Sequence, residues 1–107
     1  EFFVDQWDPY ELIVKPDFNC TKAMSLLISY LEEKKLSELN GETQLMIAPG
    51  YSFKIASGLI TNFHQPKSTL LLLVSALVGD SWKQVYNFAS QNDFRFLSYG
   101  DSCLFLP

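Results

Sequence analysis

The sequence predicts a small mixed α/β (α+β) domain, one short sheet packed by two or three helices. Three observations predict it. Residues 58–79 pass from a short extended run, Leu59 to Thr61, through a polar turn into an apolar helix, Leu70 to Val78. Trp82, Val85, Tyr86 and Ala89 repeat at i, i+3, i+4 and i+7, the spacing of one helical face. The remaining apolar residues fall in short runs between Pro, Gly, Asn and Asp, as strands of a small sheet do.

Taken in order, residues 1–9 mix acids with Phe2, Phe3 and Trp7, aromatics that an isolated domain exposes only at a cost. Tyr10 to Lys15 reads as a strand stopped by Pro16-Asp17. Asn19 is placed to cap a helix starting at Cys20 or Thr21, with Cys20, Met24, Leu27 and Leu31 on one face, Ala23 and Tyr30 beside them, and Glu32 to Lys35 as its solvated end. Leu36 to Glu42 reads as a linker with Asn40-Gly41 as a turn, and Gln44 to Ala48 as a strand ended by Pro49-Gly50. Tyr51 to Ile55 and Leu59 to Thr61 are spaced for a hairpin, with Gly58 at the position that needs positive φ.

Pro66 suits the first turn of the following helix, where its missing N–H costs nothing, and Ser68 and Thr69 can satisfy the early orphan donors. Leu70 to Val78 is apolar except for Ser75, which predicts a helix buried on most sides. That helix is far short of the roughly 20 residues that span a bilayer. Gly79 ends it, Asp80 or Ser81 caps the Trp82 helix, that helix fades by Asn92, and an aromatic loop leads to a last strand, Ser102 to Phe105.

With 107 residues, 48% hydrophobic and 15% aromatic, the chain can build one core, so one domain over residues 1–107 is expected. A formal charge of −4 and a pI near 4.8 argue against strong nucleic-acid binding by this piece alone, which needs clustered Lys and Arg. Cys20 and Cys103 are too few for a disulfide scaffold or a four-ligand zinc site and read as reduced, small core residues. Neither a signal peptide nor a transmembrane run is visible, which points to the cytoplasm, and no metal-binding pattern stands out.

The turn between strand and helix concentrates the polar chemistry. A helix N-terminus offers N–H groups and a favourable dipole to an anion, and Asn62, the lone His64, Lys67, Ser68 and Thr69 cluster there. Imidazole suits proton transfer, yet a single histidine in a turn before a helix is more often a capping or hydrogen-bonding group. Lys67 opposes the helix dipole, which suggests an anionic partner, whereas a solvated lysine is the plain alternative. Tyr99-Gly100-Asp101 is a turn by chemistry, and Asp101 is the best-placed acid of this half.

Residues 58–79, with Pro49-Gly50-Tyr51 and Phe53-Lys54 before them and Phe94-Arg95-Phe96-Leu97-Ser98-Tyr99-Gly100-Asp101 after them, resemble the C-terminal signature of the S-adenosylmethionine:tRNA ribosyltransferase-isomerases of queuosine biosynthesis. The likeness begins at Thr43, and its order and spacing make it far more specific than a short motif. It implies a C-terminal fragment of a larger two-domain protein, one domain α/β and the other a β-barrel. It further implies transfer and isomerisation of the ribosyl group of S-adenosylmethionine onto a 7-aminomethyl-7-deazaguanine base in tRNA, giving epoxyqueuosine-tRNA with release of adenine and methionine. On this likeness His64 and Asp101 are the expected acid/base residues, and Asn62, Lys67, Ser68, Thr69 and Tyr99 the expected substrate-binding residues. S-adenosylmethionine then serves as ribosyl donor, tRNA is the partner, and no metal or membrane is involved.

One stretch departs from the family. Where the pattern has a Gly-Thr-Thr-Ser turn followed by an arginine, this chain has Asp17-Phe18-Asn19-Cys20-Thr21-Lys22, with Lys22 the candidate for the arginine's place. The rival expectation is therefore a diverged or truncated relative that keeps the fold as a non-catalytic packing or interaction module. An ordinary methyltransferase fits less well, because its Gly-rich strand-to-helix turn is missing.

Overall fold

The computed structural model describes residues 2–12, 16–65 and 67–107. Its contacts group the chain, expected above as one domain, into two compact units, Glu1–Met46 and Ile47–Pro107, and each is described by itself. Helices and small sheets are mixed in the chain, as expected, and the described residues form two two-stranded sheets rather than one.

In the first unit, β1 (Phe2–Val4) pairs in parallel with β2 (Gly41–Thr43), Phe2 opposite Gly41 and Val4 opposite Thr43. Bonding continues beyond the ladder: Gln44 N–H donates to Val4 O at 3.0 Å and Met46 N–H to Gln6 O at 3.2 Å. The expected Asn40-Gly41 turn and the strand at Gln44 to Ala48 are thus corrected to a strand at Gly41–Thr43. Glycine permits the close approach, since a Cβ on Gly41 would lie 3.1 Å from Phe2 O.

The strand expected at Tyr10 to Lys15 is also corrected. Tyr10 and Glu11 belong to the short helix α1 (Asp8–Glu11), begun by Pro9 in its first turn and held by Asp5 N–H donating to Asp8 Oδ2 at 2.8 Å, while residues 13–15 lie outside the described residues. Helix α2 (Cys20–Lys34) starts where Asn19 predicts, the Asn19 side chain accepting from Lys22 N–H at 2.9 Å, and closes on Lys35 in the left-handed region. Its apolar face is half-buried at Ala23, Leu27, Tyr30 and Leu31, but Cys20 is exposed rather than in a core.

In the second unit, β3 (Leu59–Asn62) pairs antiparallel with β4 (Ser102–Phe105), Leu59 opposite Phe105 and Asn62 opposite Ser102. The expected hairpin with Tyr51 to Ile55 is not formed: the strand paired with β3 is β4, and residues 51–53 carry no ladder. Gly58 accordingly lacks a positive φ; a Cβ there would lie 3.0 Å from the Leu106 side chain and 3.1 Å from Phe105 O.

Helix α3 (Thr69–Val78) is followed by a 3₁₀ turn (Gly79–Ser81) and helix α4 (Trp82–Gln91). Gly79 ends α3 at φ 64°, as expected. Ser81 precedes α4 without capping it, its hydroxyl donating instead to Val78 O at 2.7 Å. The stripe on α4 forms the core as predicted: Phe63, Leu71, Tyr86 and Ala89 are buried together, with Trp82, Val85, Phe96 and Cys103 against them. Helix α3 is not buried on most sides; it buries Leu71 and Val74, while Leu70 and Leu72 stay 49% and 39% exposed. No described helix is long and apolar enough to cross a membrane.

This asymmetry generates a paired prediction. Leu71→Ala should destabilise the protein by about 2–5 kcal/mol, the cost of an unfilled core cavity, and Leu72→Ala by less than half as much. Chemical denaturation of both variants measures this, and equal costs would contradict the burial of only one face.

Candidate functional site

Strand β3 ends at Asn62 and delivers the chain to Phe63, which is 2% exposed. Phe63 N–H donates to Asp101 O at 3.3 Å, Phe63 O accepts from Leu97 N–H at 2.7 Å, and its ring stands against those of Tyr86, Phe94 and Phe96 at 5.2–5.6 Å. With Phe63 held in the core, the next residue emerges at its edge. His64 is half-buried, and its backbone N–H donates to the Tyr86 hydroxyl at 3.0 Å. Its Nε2 lies 2.7 Å from Thr61 Oγ1.

Two shallow concavities flank the turn. One, of about 230 Å³, is lined by Asn62, His64, Gln65, Ser68, Leu97 and Ser98 together with Leu70. The other, of about 390 Å³, is lined by Lys67, Ser68, Thr69 and Trp82 with Leu71, Leu72 and Ser75 of α3. Ser68 borders both. It is the N-cap of α3, its Oγ accepting from Leu70 N–H at 3.1 Å, and its own N–H donates to Gln65 O at 3.2 Å. The hydroxyl proton is then Ser68's remaining donor. Pro66 lies outside the described residues.

Asn62 ties the turn to the loop before β4, its Nδ2 donating to Ser98 O at 3.0 Å. In that loop Leu97 has φ 74°, and in the turn Lys67 has φ 64°, left-handed conformations that cost non-glycine residues roughly 1–3 kcal/mol. Both strained residues border a concavity.

Asp101 accepts from Arg95 N–H through Oδ2 at 2.7 Å and from the Arg95 guanidinium through Oδ1 at 3.3 Å, while its N–H donates to Arg95 O at 2.9 Å. These contacts, the Arg95 N–H foremost and the guanidinium after it, hold its carboxyl below the usual aspartate range. Asp101 lines neither concavity, and Tyr99 is 98% exposed. Gly100 is required between them, because a Cβ would sit 2.5 Å from Arg95 O and 2.6 Å from Phe96 O. The structure thus brings Asn62, His64 and Ser68 to one hollow, Lys67 and Thr69 to the adjoining one, and leaves Asp101 in a loop clamp.

Thr61, Tyr86, Leu97 and Ser98 carry no expectation of a site role from the sequence. Tyr86 read only as core, and burial does raise its phenol pKa, partly offset by the His64 N–H, with Cys103 raising it further. Thr61 reads as one more residue of a short strand, and strand alternation does not mark it as the partner of a residue three positions on, beyond the strand's end. Among the described residues no three or more of His, Cys, Asp and Glu are grouped to hold a metal ion.

Residues 20–105 match the family model described as queuosine biosynthesis protein. The chain is 48% identical over 88 residues to the S-adenosylmethionine:tRNA ribosyltransferase-isomerase of Ruegeria pomeroyi, covering 81% of this chain and 25% of that protein. It is 47% identical over 87 residues to the protein of the same name in Halothermothrix orenii, covering 80% and 26%. Among solved structures it is similar to the S-adenosylmethionine tRNA ribosyltransferase of Thermotoga maritima, with TM-score 0.61 and 37% identity over 78% of this chain and 31% of that one. The chain spans about a quarter of the length of the curated relatives it matches, in their C-terminal part.

The Asp101 clamp predicts an acid-dependent stability. A carboxyl whose pKa is lowered by folding stabilises the folded state above its ordinary value, about 3.9, and loses that contribution as pH falls through the lowered one. Wild type should therefore be more stable than Asp101→Asn near neutrality, with the gap closing on acidification below about pH 4. Denaturation midpoints across that range measure it, and a gap independent of pH would show that the charge plays no part.

Proposed function

The chain belongs to the queuosine biosynthesis protein family, and from that premise we propose that it is the C-terminal portion of a tRNA ribosyltransferase-isomerase. On this reading the whole protein transfers and isomerises the ribosyl group of S-adenosylmethionine onto a 7-aminomethyl-7-deazaguanine base in tRNA. The product is epoxyqueuosine-tRNA, adenine and methionine leave, and the compartment is the cytoplasm.

The observation that carries the reading is the turn after β3. Its imidazole borders a polar hollow beside the start of an apolar helix, and an ammonium borders the adjoining one. The chemistry needs a group that moves a proton at the adenine leaving group or the amine nucleophile, and groups that hold the methionyl carboxylate. His64 is assigned the proton. Lys67, with Thr69 and the Ser68 hydroxyl at the start of α3, is assigned the carboxylate, where the helix dipole adds to the attraction. Asn62 and Tyr99 are assigned to substrate, and Asp101 retains an acid/base assignment on the family likeness. Its pairing with Arg95 also supports a part in holding the loop beside Asn62.

One observation favours a second reading, a diverged relative that serves as a packing or interaction module. Lys22, the candidate for the family's arginine, donates to Asp17 O at 2.7 Å and pairs with Asp17 Oδ2 at 3.4 Å, so its ammonium is engaged within its own turn. Activity of a family-length chain carrying this segment separates the two readings.

In such a chain, His64→Ala and Lys67→Ala should each lower ribosyl transfer at least about tenfold, roughly 1.4 kcal/mol of transition-state stabilisation, with thermal stability nearly unchanged. Normal transfer by both variants would sink the assignment of the turn. The 107-residue chain alone should release no adenine from S-adenosylmethionine in the presence of precursor tRNA. Turnover by it would show that the remaining three quarters of the family's length is dispensable.

A further inference from the structure

We propose that Thr61 is a positioning residue for His64, accepting a hydrogen bond from Nε2–H and so holding the imidazole with Nδ1 as its one proton-accepting atom. This rests on the proposed role of His64 for its functional meaning, but not for its geometry.

Thr61 Oγ1 lies 2.7 Å from His64 Nε2 and 3.3 Å from Asn62 O. A threonine hydroxyl has one proton to donate and two lone pairs to accept with. If the imidazole carries its proton on Nε2, then Nε2–H donates to Oγ1 and the Thr61 hydroxyl donates to Asn62 O, so both contacts are hydrogen bonds. If the proton is on Nδ1, the hydroxyl must turn to bare Nε2, and the contact with Asn62 O is lost. The first arrangement keeps one more bond among part-buried groups, where water only partly replaces a bond left unmade.

The surroundings support that assignment. Thr61 and Asn62 sit on β3, whose register against β4 pairs Thr61 with Cys103 and Asn62 with Ser102, so the acceptor carbonyl is held by the sheet. His64 cannot swing away with its backbone, because its N–H is bonded to the Tyr86 hydroxyl of α4, and Phe63 beside it is locked in the core. The ring is thus gripped at Nε2 and at its own main chain by two elements of one unit. That grip selects which nitrogen is free to accept a proton, a choice the residue type leaves open.

Long-range proton–nitrogen correlation spectra of the ¹⁵N-histidine-labelled family-length chain test this directly. They are recorded where the imidazole is neutral, with His64 identified by the signals lost in His64→Ala. The expected result is Nε2 at the shift of a protonated ring nitrogen and Nδ1 at that of a bare one. In Thr61→Val, which keeps the β-branched shape of the strand residue, the two shifts should move toward the mixture of free histidine, and Thr61→Ser should restore them. Ribosyl transfer should follow, falling about tenfold in Thr61→Val and recovering in Thr61→Ser. A wild-type spectrum with the proton on Nδ1, or shifts unchanged in Thr61→Val, would overturn the proposal. Normal transfer by His64→Ala would instead remove the catalytic role of His64, while the spectra still decide what Thr61 does.

Discussion

The second unit depends on the placement of Phe63. Its backbone is bonded on both sides, to Asp101 O and from Leu97 N–H, and its ring meets Tyr86, Phe94 and Phe96. Edge-to-face aromatic pairs add roughly 0.5–1.5 kcal/mol each beyond the area they bury, and Phe63 makes two, with Tyr86 and Phe94, beside a tilted contact with Phe96. A residue so tied cannot slide along the strand direction, so the point where the chain leaves β3 is set. His64, the next residue, is positioned by that exit.

The polar turn therefore stands on a rigid base while remaining open to solvent on its outer side. Lys67 in the turn and Leu97 in the loop before β4 have left-handed conformations that a free loop would relax. Around Leu97 the bond to Phe63 O, the Asn62–Ser98 bond and the Asp101–Arg95 clamp hold the loop, and beside Lys67 the Ser68 N–H is bonded to Gln65 O. Gly100 makes the clamp possible, since only a residue without Cβ lets the Arg95 and Phe96 carbonyls come so near. The first unit contrasts with this. Its described residues include none that is buried, and Phe2, Phe3, Met24, Leu26 and Ile28 remain exposed, because one parallel strand pair and one long helix have too few faces to enclose them.

Features written within a few residues of one another were legible in the sequence. Asn19 capping Lys22 N–H and Ser68 capping Leu70 N–H are bonds across two or three residues, and the Trp82, Val85, Tyr86, Ala89 stripe follows from helical period alone. The terminal strand Ser102–Phe105 was likewise legible. Strand partners were not. Leu59–Asn62 looked ready for a hairpin with the run before it, yet a hairpin and a pairing with a distant strand satisfy the same alternation, and only packing chooses between them. Gly41 looked like a turn glycine and is instead the site of close strand approach.

For the site, residue types and order along the chain sufficed to mark the turn at Asn62, His64, Lys67, Ser68 and Thr69 as the place where polar groups collect before an apolar helix. They also sufficed for the family, whose signature is itself a pattern of order and spacing. Tertiary structure alone decided which of these groups share a hollow, that Asp101 is turned to Arg95, and that Thr61 and Tyr86 hold His64. For Tyr86 the physical reason is range, since it lies 22 residues from His64 on a helix reached only when Phe63 closes the core. Thr61 is a near neighbour, but where a strand gives way to a turn no fixed period says which side chains meet, and the path the chain takes around Phe63 decides it.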